Sequence, residues 1–330
     1  MANPQPSDLY VNQPLTEFAV MYMQNEKNFA NTQMFPMVKV KKQGGKYVKY
    51  PKGAWFRSDA QLRAPGTESA GGEGYTVDTD STYYCDLWAR HHDVSDEARA
   101  NFENPVLDPE KAAARFIAAK LALLREQTFI DNFVKTGVWG TDLQGGTSGG
   151  GKDFVQWSDY NNSDPITDID TYRSAMLKAT GKEPNRLMIG DDVFRALKNH
   201  PDILARMSVS QKRVLTVELL QQIFEIEKII VAKGVYNTAA QGAADSMAFF
   251  VSKTALMCYT NPNDMPSKEE PSAGYRFAWT GYLGANNAEG IRVKKFRMEN
   301  LSSDRIEGES ALDMKVTASD LGTYMYDCIA

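Results

Sequence analysis

The sequence predicts an α+β fold, on three observations. One long amphipathic segment reads as a single helix, a later stretch alternates helix and strand signals, and the residues from 286 onward read as strands. A polar arm and a long loop with two extended limbs come first. The chain has 330 residues, 42% hydrophobic and 24% charged, so an ordinary globular core is available to it.

Residues 1–36 form the arm, with Pro4, Pro6, Pro14 and Pro36 among Asn and Gln and one apolar patch, "LTEFAVMYM". Residues 37–92 form an extended β-loop. It opens with "VKVKKQGGKYVKYPKGAWF", which carries six lysines. Val38 and Val40 alternate with lysines, as do Val48 and Tyr50, so the spacing predicts a hairpin turning on Gly44–Gly45. A tip poor in apolar residues, "SDAQLRAPGTESAGGEG", leads to the return limb "YTVDTDSTYYCDLWARHHDVS". The outgoing limb is basic, with Lys46, Lys49 and Lys52 among its cations. From Ala64 to Asp86 the acids Glu68, Glu73, Asp78, Asp80 and Asp86 meet no base. Opposite charges across paired strands add ~0.2–1 kcal/mol each, and they also set register and partner choice.

Residues 93–165 hold the long helix and a loop. Asp108 suits the N-cap, Pro109 the first turn and Glu110 the helix dipole, with Gly137 as the stop. That predicts about 28 residues, roughly 42 Å of helix. Ala112, Phe116, Ala119, Leu123, Ile130 and Phe133 recur on one face, so Phe116, Leu123 and Ile130 are expected in its core. Residues 138–165, rich in Gly and Asn, read as loop.

Residues 166–285 are α/β in pattern. "DIDTYRSAMLKATG" reads as a helix closed by Gly181, and "RLMIG" as a buried strand. Asp191 is expected to cap the helix "DVFRALKNH", and "TVELLQQIF" reads as a further helix. Ile229–Val231, Ala248–Val251 and Leu256–Tyr259 read as strands. "YRFAWTGYL", "GIRVKKFRM", "ESALDMKVTAS" and "TYMYDCIA" then alternate or run apolar, and residues 286–330 make the closing strands.

No constellation of catalytic residues emerges. Gly146, Gly151 and Lys152 fit part of a phosphate-binding loop, but Asp153 stands where the magnesium-binding hydroxyl belongs, and no strand and helix flank it. Ser148 sits in G-x-S-x-G, yet the one histidine beyond it, His200, stands before Pro201. His91 and His92 point to opposite faces of a strand. "DYNNSD" lacks the calcium loop's glycine. Glu269–Glu270 read as solvated loop. Cys85, Cys258 and Cys328 have no metal or disulfide spacing, so no cofactor or metal is expected. A net charge of −5 and a pI near 5.4 argue against a dedicated nucleic-acid binder but leave room for local contact. No stretch has the ~20 apolar residues of a membrane helix, and the N-terminus lacks a secretory pattern.

In order and spacing, these parts resemble the major capsid protein of a tailed bacteriophage. The resemblance runs through "MFPMVKVKKQGGKYVKYPK", "RAPGTES", "LDPEKAAARFIAAKLALLRE", "RLMIGDDVFRALKNHPDI" and "ALDMKVTASDLGTYMYDCIA". It implies an N-arm, an extended loop, a spine helix, an axial α/β domain and a peripheral domain. It also implies a structural protein, not an enzyme, that assembles with its own copies into the pentamers and hexamers of an icosahedral head around double-stranded DNA. Implied partners are a separate scaffolding protein, a portal protein, a decoration protein and packaged DNA, in a virion assembled in the host cytoplasm. Encapsulin nanocompartments share the fold and form the alternative; an enzyme using Gly146–Lys152 is a distant one. Unpaired strand edges and exposed aromatic residues are an aggregation hazard in a monomer. Lys46, Tyr47, Lys49, Tyr50, Lys52, Trp55, Phe56, Glu73, Asp78 and Asp80 are therefore expected to face a neighbouring subunit.

Overall fold

The computed structural model describes residues 28–49, 52–58, 60–69, 71, 77–100, 108–206, 215–263, 270–284 and 290–330. Most of the expected arm, with Tyr50 and Glu73, lies outside the described residues.

The first elements are α1 (Asn31–Met34), β1 (Met37–Val40), β2 (Gly44–Lys46), α2 (Lys52–Trp55), β3 (Thr82–Tyr84), β4 (Asp86–Ser95) and α3 (Asp96–Ala100). The long helix is α4 (Pro109–Phe133). Asp108 caps it as expected, accepting the Glu110 N–H at 3.0 Å. It ends at Phe133, ahead of Gly137, because Trp139 Nε1 donates to the Phe133 carbonyl at 2.7 Å. Its buried stripe is Ala113, Ala114, Ile117, Ala118, Leu121, Ala122, Phe129 and Phe133. The expected core face is therefore wrong by about one residue. Phe116 is 43% exposed, and Leu123 and Ile130 are only partly covered. The reason is close approach: alanines face the sheet, and a Cβ on Gly308 would stand 2.3 Å from Ile117 Cγ2.

Then follow β5 (Thr141–Gly146), β6 (Phe154–Val155), α5 (Pro165–Thr180), β7 (Arg186–Gly190), α6 (Asp191–Lys198), α7 (Pro201–Arg206), α8 (Val217–Phe224), β8 (Lys228–Ala232), β9 (Val235–Asn237), β10 (Met247–Phe249) and β11 (Ala255–Cys258). The last are β12 (Gly274–Trp279), α9 (Thr280–Leu283), β13 (Ile291–Met298), β14 (Ser303–Val316) and β15 (Gly322–Tyr326). Gly181 ends α5 as read, but the helix begins three residues earlier than expected, capped by Asp164, and the N-cap of α6 is Gly190, with Asp191 inside the first turn.

A six-stranded sheet runs β6-β5-β15-β11-β7-β8. Leu187 and Ile189 pack with Ile169, Val193 and Leu220 on one face, and Met188 packs with Phe35, Phe129 and Phe133 on the other. Burial of both faces explains the unbroken apolar run of "RLMIG". Two expectations fail here. Residues 141–155, read as loop, supply β5 and β6, and β15 joins this sheet instead of the other closing strands. In β5 the glycines serve close packing: a Cβ on Gly145 would lie 2.3 Å from the Asp327 carbonyl oxygen.

The second sheet is organised by β14, which pairs antiparallel with β4, β13 and β12, and β1 joins β12 in parallel. No hairpin turns on Gly44–Gly45. β1 pairs with β12, while β2 pairs antiparallel with β3, setting Gly45 opposite Tyr83. A Cβ on Gly45 would come within 2.9 Å of the Tyr83 ring, so the glycine makes room for an aromatic residue where a turn was expected.

Candidate subunit interface

The two limbs of the loop are held together at its base. Beyond β2 and β3, Lys49 and Asp78 exchange backbone hydrogen bonds of 2.9 Å. Tyr83 stacks on Phe277 with centroids 4.7 Å apart, and Tyr47 lies 5.7 Å from the same ring. Tyr47 is thus half-buried in a small cluster with Val40 and Cys85, not open to a neighbour as expected. Burial pushes the Tyr47 hydroxyl up, and pushes the Cys85 thiol up to about 12.

The charge match expected between limbs is partly met within the subunit. Lys46 Nζ lies 3.8 Å from Asp80 Oδ1, with both side chains exposed. Such a pair contributes at most about 1 kcal/mol. Lys49 sets its ammonium over the Tyr47 ring at 5.5 Å. Lys52 leaves the acidic limb altogether and pairs with Asp320. The tip beyond it is open: Trp55 is 64% exposed, Phe56 67%, and Leu62 fully.

A second surface escaped sequence reasoning. β4 is exposed from Asp86 through His92, with Leu87 and Trp88 outward, because only its end reaches under α4. An alternating, mostly polar strand gives no sign of which face is left open. Ion pairs lock its far end. Arg305 forks onto Asp93 at 2.7 and 2.8 Å, and Arg297 onto Asp96 at 2.7 and 2.6 Å. Asp304 receives Arg99 at 2.5 Å and Lys295 at 3.1 Å. The Arg305 hydrogen bonds hold Asp93 below the usual carboxylate range; Lys295 and Arg99 do the same for Asp304 against its desolvation.

The segment after the arm is clasped at both ends. Glu126, fully buried on α4, accepts Ala30 N at 2.9 Å, Asn31 N at 3.0 Å and Asn31 Nδ2 at 2.6 Å. At the other end of α1, Arg186 donates to the Gln33 and Met34 carbonyls, and Arg276 to those of Phe35 and Thr32. A carboxylate at the N-terminus and guanidinium groups at the C-terminus both complement the helix dipole. Burial raises the Glu126 carboxyl despite its three donors.

Two groupings have a catalytic outline but are wired to hold loops in place. Ser163 Oγ lies 2.9 Å from His200 Nε2, with Asp202 beside the ring. The Asp202 N–H donates to Nδ1 at 3.3 Å, so Nε2 carries the proton and donates to Ser163, whose hydroxyl donates to the Asp159 carbonyl. His200 cannot take a proton from Ser163 in that state. Lys152 folds back onto Gln144 Oε1 at 2.7 Å, between two parallel strands instead of a strand and a helix. Among the described residues no group of side chains could hold a metal, and no helix is long and apolar enough to cross a membrane.

The model of the family "Phage major capsid protein E" matches residues 155–266. The major capsid protein of Burkholderia phage BcepMu is 25% identical over 231 residues, 68% of this chain and 70% of that protein. A phage-related protein of Bordetella bronchiseptica RB50 superimposes with a TM-score of 0.73 at 21% identity, over 97% of this chain and 98% of its own. The mature capsid of bacteriophage PhiM1 gives 0.55 at 10% identity, over 91% and 87%. The SrpI encapsulin of Synechococcus elongatus gives 0.54 at 11%, over 99% and 92%. The chain has the capsid fold of phages and encapsulins. In sequence it resembles phage major capsid proteins. In this capsid fold, the loop tip and the outer part of β4 are open surfaces among the described residues.

Proposed function

We propose that this chain is the major capsid protein of a tailed phage and builds an icosahedral head of pentamers and hexamers around double-stranded DNA. The carrying observation is the family match over residues 155–266, on a chain that has the capsid fold along its length. The open tip supports this reading: Trp55, Phe56 and Leu62 are large apolar side chains that a closed shell would cover. Head-to-tail contacts of this kind close into rings. In this reading Lys46, Lys49, Tyr50, Lys52, Trp55, Phe56, Glu73, Asp78 and Asp80 border the neighbouring subunit. The role is structural, in a virion assembled in the host cytoplasm, with a separate scaffolding protein, a portal protein and a decoration protein as partners. Electron microscopy of particles purified from infected cells tests it. Heads holding nuclease-protected DNA and composed mainly of this chain are expected. Shells filled with a cargo enzyme instead would make it an encapsulin.

A further inference from the structure

The loop tip touches its own subunit at two points. Lys52, on the short α2, pairs with Asp320, 268 residues further along the chain. Asp320 lies in the turn Ser319–Leu321 that leads into β15. The Lys52 ammonium holds the Asp320 carboxyl below the usual carboxylate range. The second point is Phe56, which lies against Gly181, the left-handed residue that ends α5. A Cβ on Gly181 would stand 3.1 Å from the Phe56 ring.

Neither point is sealed. Lys52 and Asp320 keep 49% and 44% of their side-chain surface open, and Phe56 is mostly exposed. Lys52 and Asp320 also line a cavity of about 340 Å³, together with Tyr172, Met176 and Ala179 of α5 and Thr323 of β15. Packed interiors leave few voids larger than a water molecule. The tip therefore bridges a groove and does not fill it. Such a contact is weak, and salt screens it. It still prevails in a free chain, because a tethered segment meets its own partner at an effective concentration of about 1 mM. Separate copies at micromolar concentration meet far less often. The Phe56 face on Gly181 and the Lys52 ammonium on Asp320 are not open to a neighbour while the contact holds.

We infer that Lys52 on Asp320 and Phe56 on Gly181 form a strap that holds the loop tip on its own subunit, and that the tip must swing off before a second copy can take it. This rests on the reading of the chain as a shell protein, and names the contact that restrains its assembly. In the free chain the strap keeps an apolar tip occupied at home, where an open one invites aggregation. Neighbours held close in a growing shell outcompete it.

The test begins with limited trypsin digestion of the full chain. Trypsin draws a basic side chain into its acidic pocket, so cleavage after Lys52 reports the ammonium leaving Asp320. Cleavage after Arg63, exposed in the tip, is the control. Asp320→Asn should raise the ratio of Lys52 to Arg63 cleavage by up to about fivefold, the most that an exposed pair sustains. Raising salt from about 50 to about 500 mM should raise the ratio in the wild type and leave the variant unchanged. The salt series needs no substitution, which covers a folding failure of the variant. Light scattering should then show shells from Asp320→Asn at a lower protein concentration than from the wild type. A cleavage ratio that responds neither to Asp320→Asn nor to salt would overturn the strap. So would a variant whose shells need as much protein as the wild type or more, since Asp320 would then hold the tip in the finished shell. A chain that forms no shells with or without Asp320 would sink the shell reading, while the cleavage ratio would still decide the strap.

Discussion

Phe116 and Phe129 stand on the same helix, thirteen residues apart, one open and one sealed. Phe129 packs against Phe35 and Phe133 at centroid distances of 6.0 and 5.2 Å. Phe129→Ala should therefore cost about 3–5 kcal/mol in a urea titration. Phe116→Ala should change stability by about 0.5 kcal/mol or less. Equal losses would mean that α4 is turned to the face first expected from its periodicity. Glu126 is the second decisive residue. Glu126→Ala leaves three buried donors without an acceptor and should cost about 1–3 kcal/mol for that loss of hydrogen bonding. Hydrogen exchange at Ala30 and Asn31 should rise with it. Unchanged protection there would show that Arg186 and Arg276 alone hold the segment.

At the scale of elements, the ribbon of β4, β13 and β14 should be the acid-sensitive part. Asp93 and Asp304 are held below the usual carboxylate range, so folding stabilises their ionised forms. That contribution is complete above the unfolded value near ~3.9 and is lost as pH falls through the folded values. Asp93→Asn should be less stable than the wild type at pH 7, and the difference should start to shrink once the pH falls below ~3.9 in urea titrations. A difference that stays constant as the pH is lowered below ~3.9 and on to acid unfolding would mean that the Arg305 fork contributes by packing alone. Elements with local signals were legible in the sequence. Asp108 marks a helix start, Gly181 marks an end, and "RLMIG" marks a strand buried on both faces. What failed depended on distant partners. The glycines at 45 and 145 signal turns locally, but Tyr83 and the Asp327 backbone, far along the chain, are what require them small. Likewise the helix periodicity located α4 but not its buried face, which Gly308 on β14 determines. At the candidate interface, Trp55, Phe56, Lys46 and Asp80 were legible as an exposed, oppositely charged pair of limbs. Tyr47 was not, since Phe277, which covers it, lies 230 residues further on.

For the whole molecule, the proposed shell depends on the loop tip. Trp55→Ser with Phe56→Ser should leave circular dichroism unchanged, because both side chains are exposed, and should block closure. Reversing Lys46, Lys49 and Lys52 to Glu should also impair shells. Reversing Glu73, Asp78 and Asp80 to Lys should rescue only part of the loss, because Lys52 finds Asp320 and not the acidic limb. Normal shells from the reversed chain would show that apolar packing suffices. The most direct measurement is on the unaltered chain: analytical sedimentation with electron microscopy, with its proposed scaffolding protein present. Closed icosahedral shells at micromolar concentration are expected. A chain that stays a stable monomer under those conditions, with Trp55 and Phe56 still open to solvent, would contradict the proposed shell.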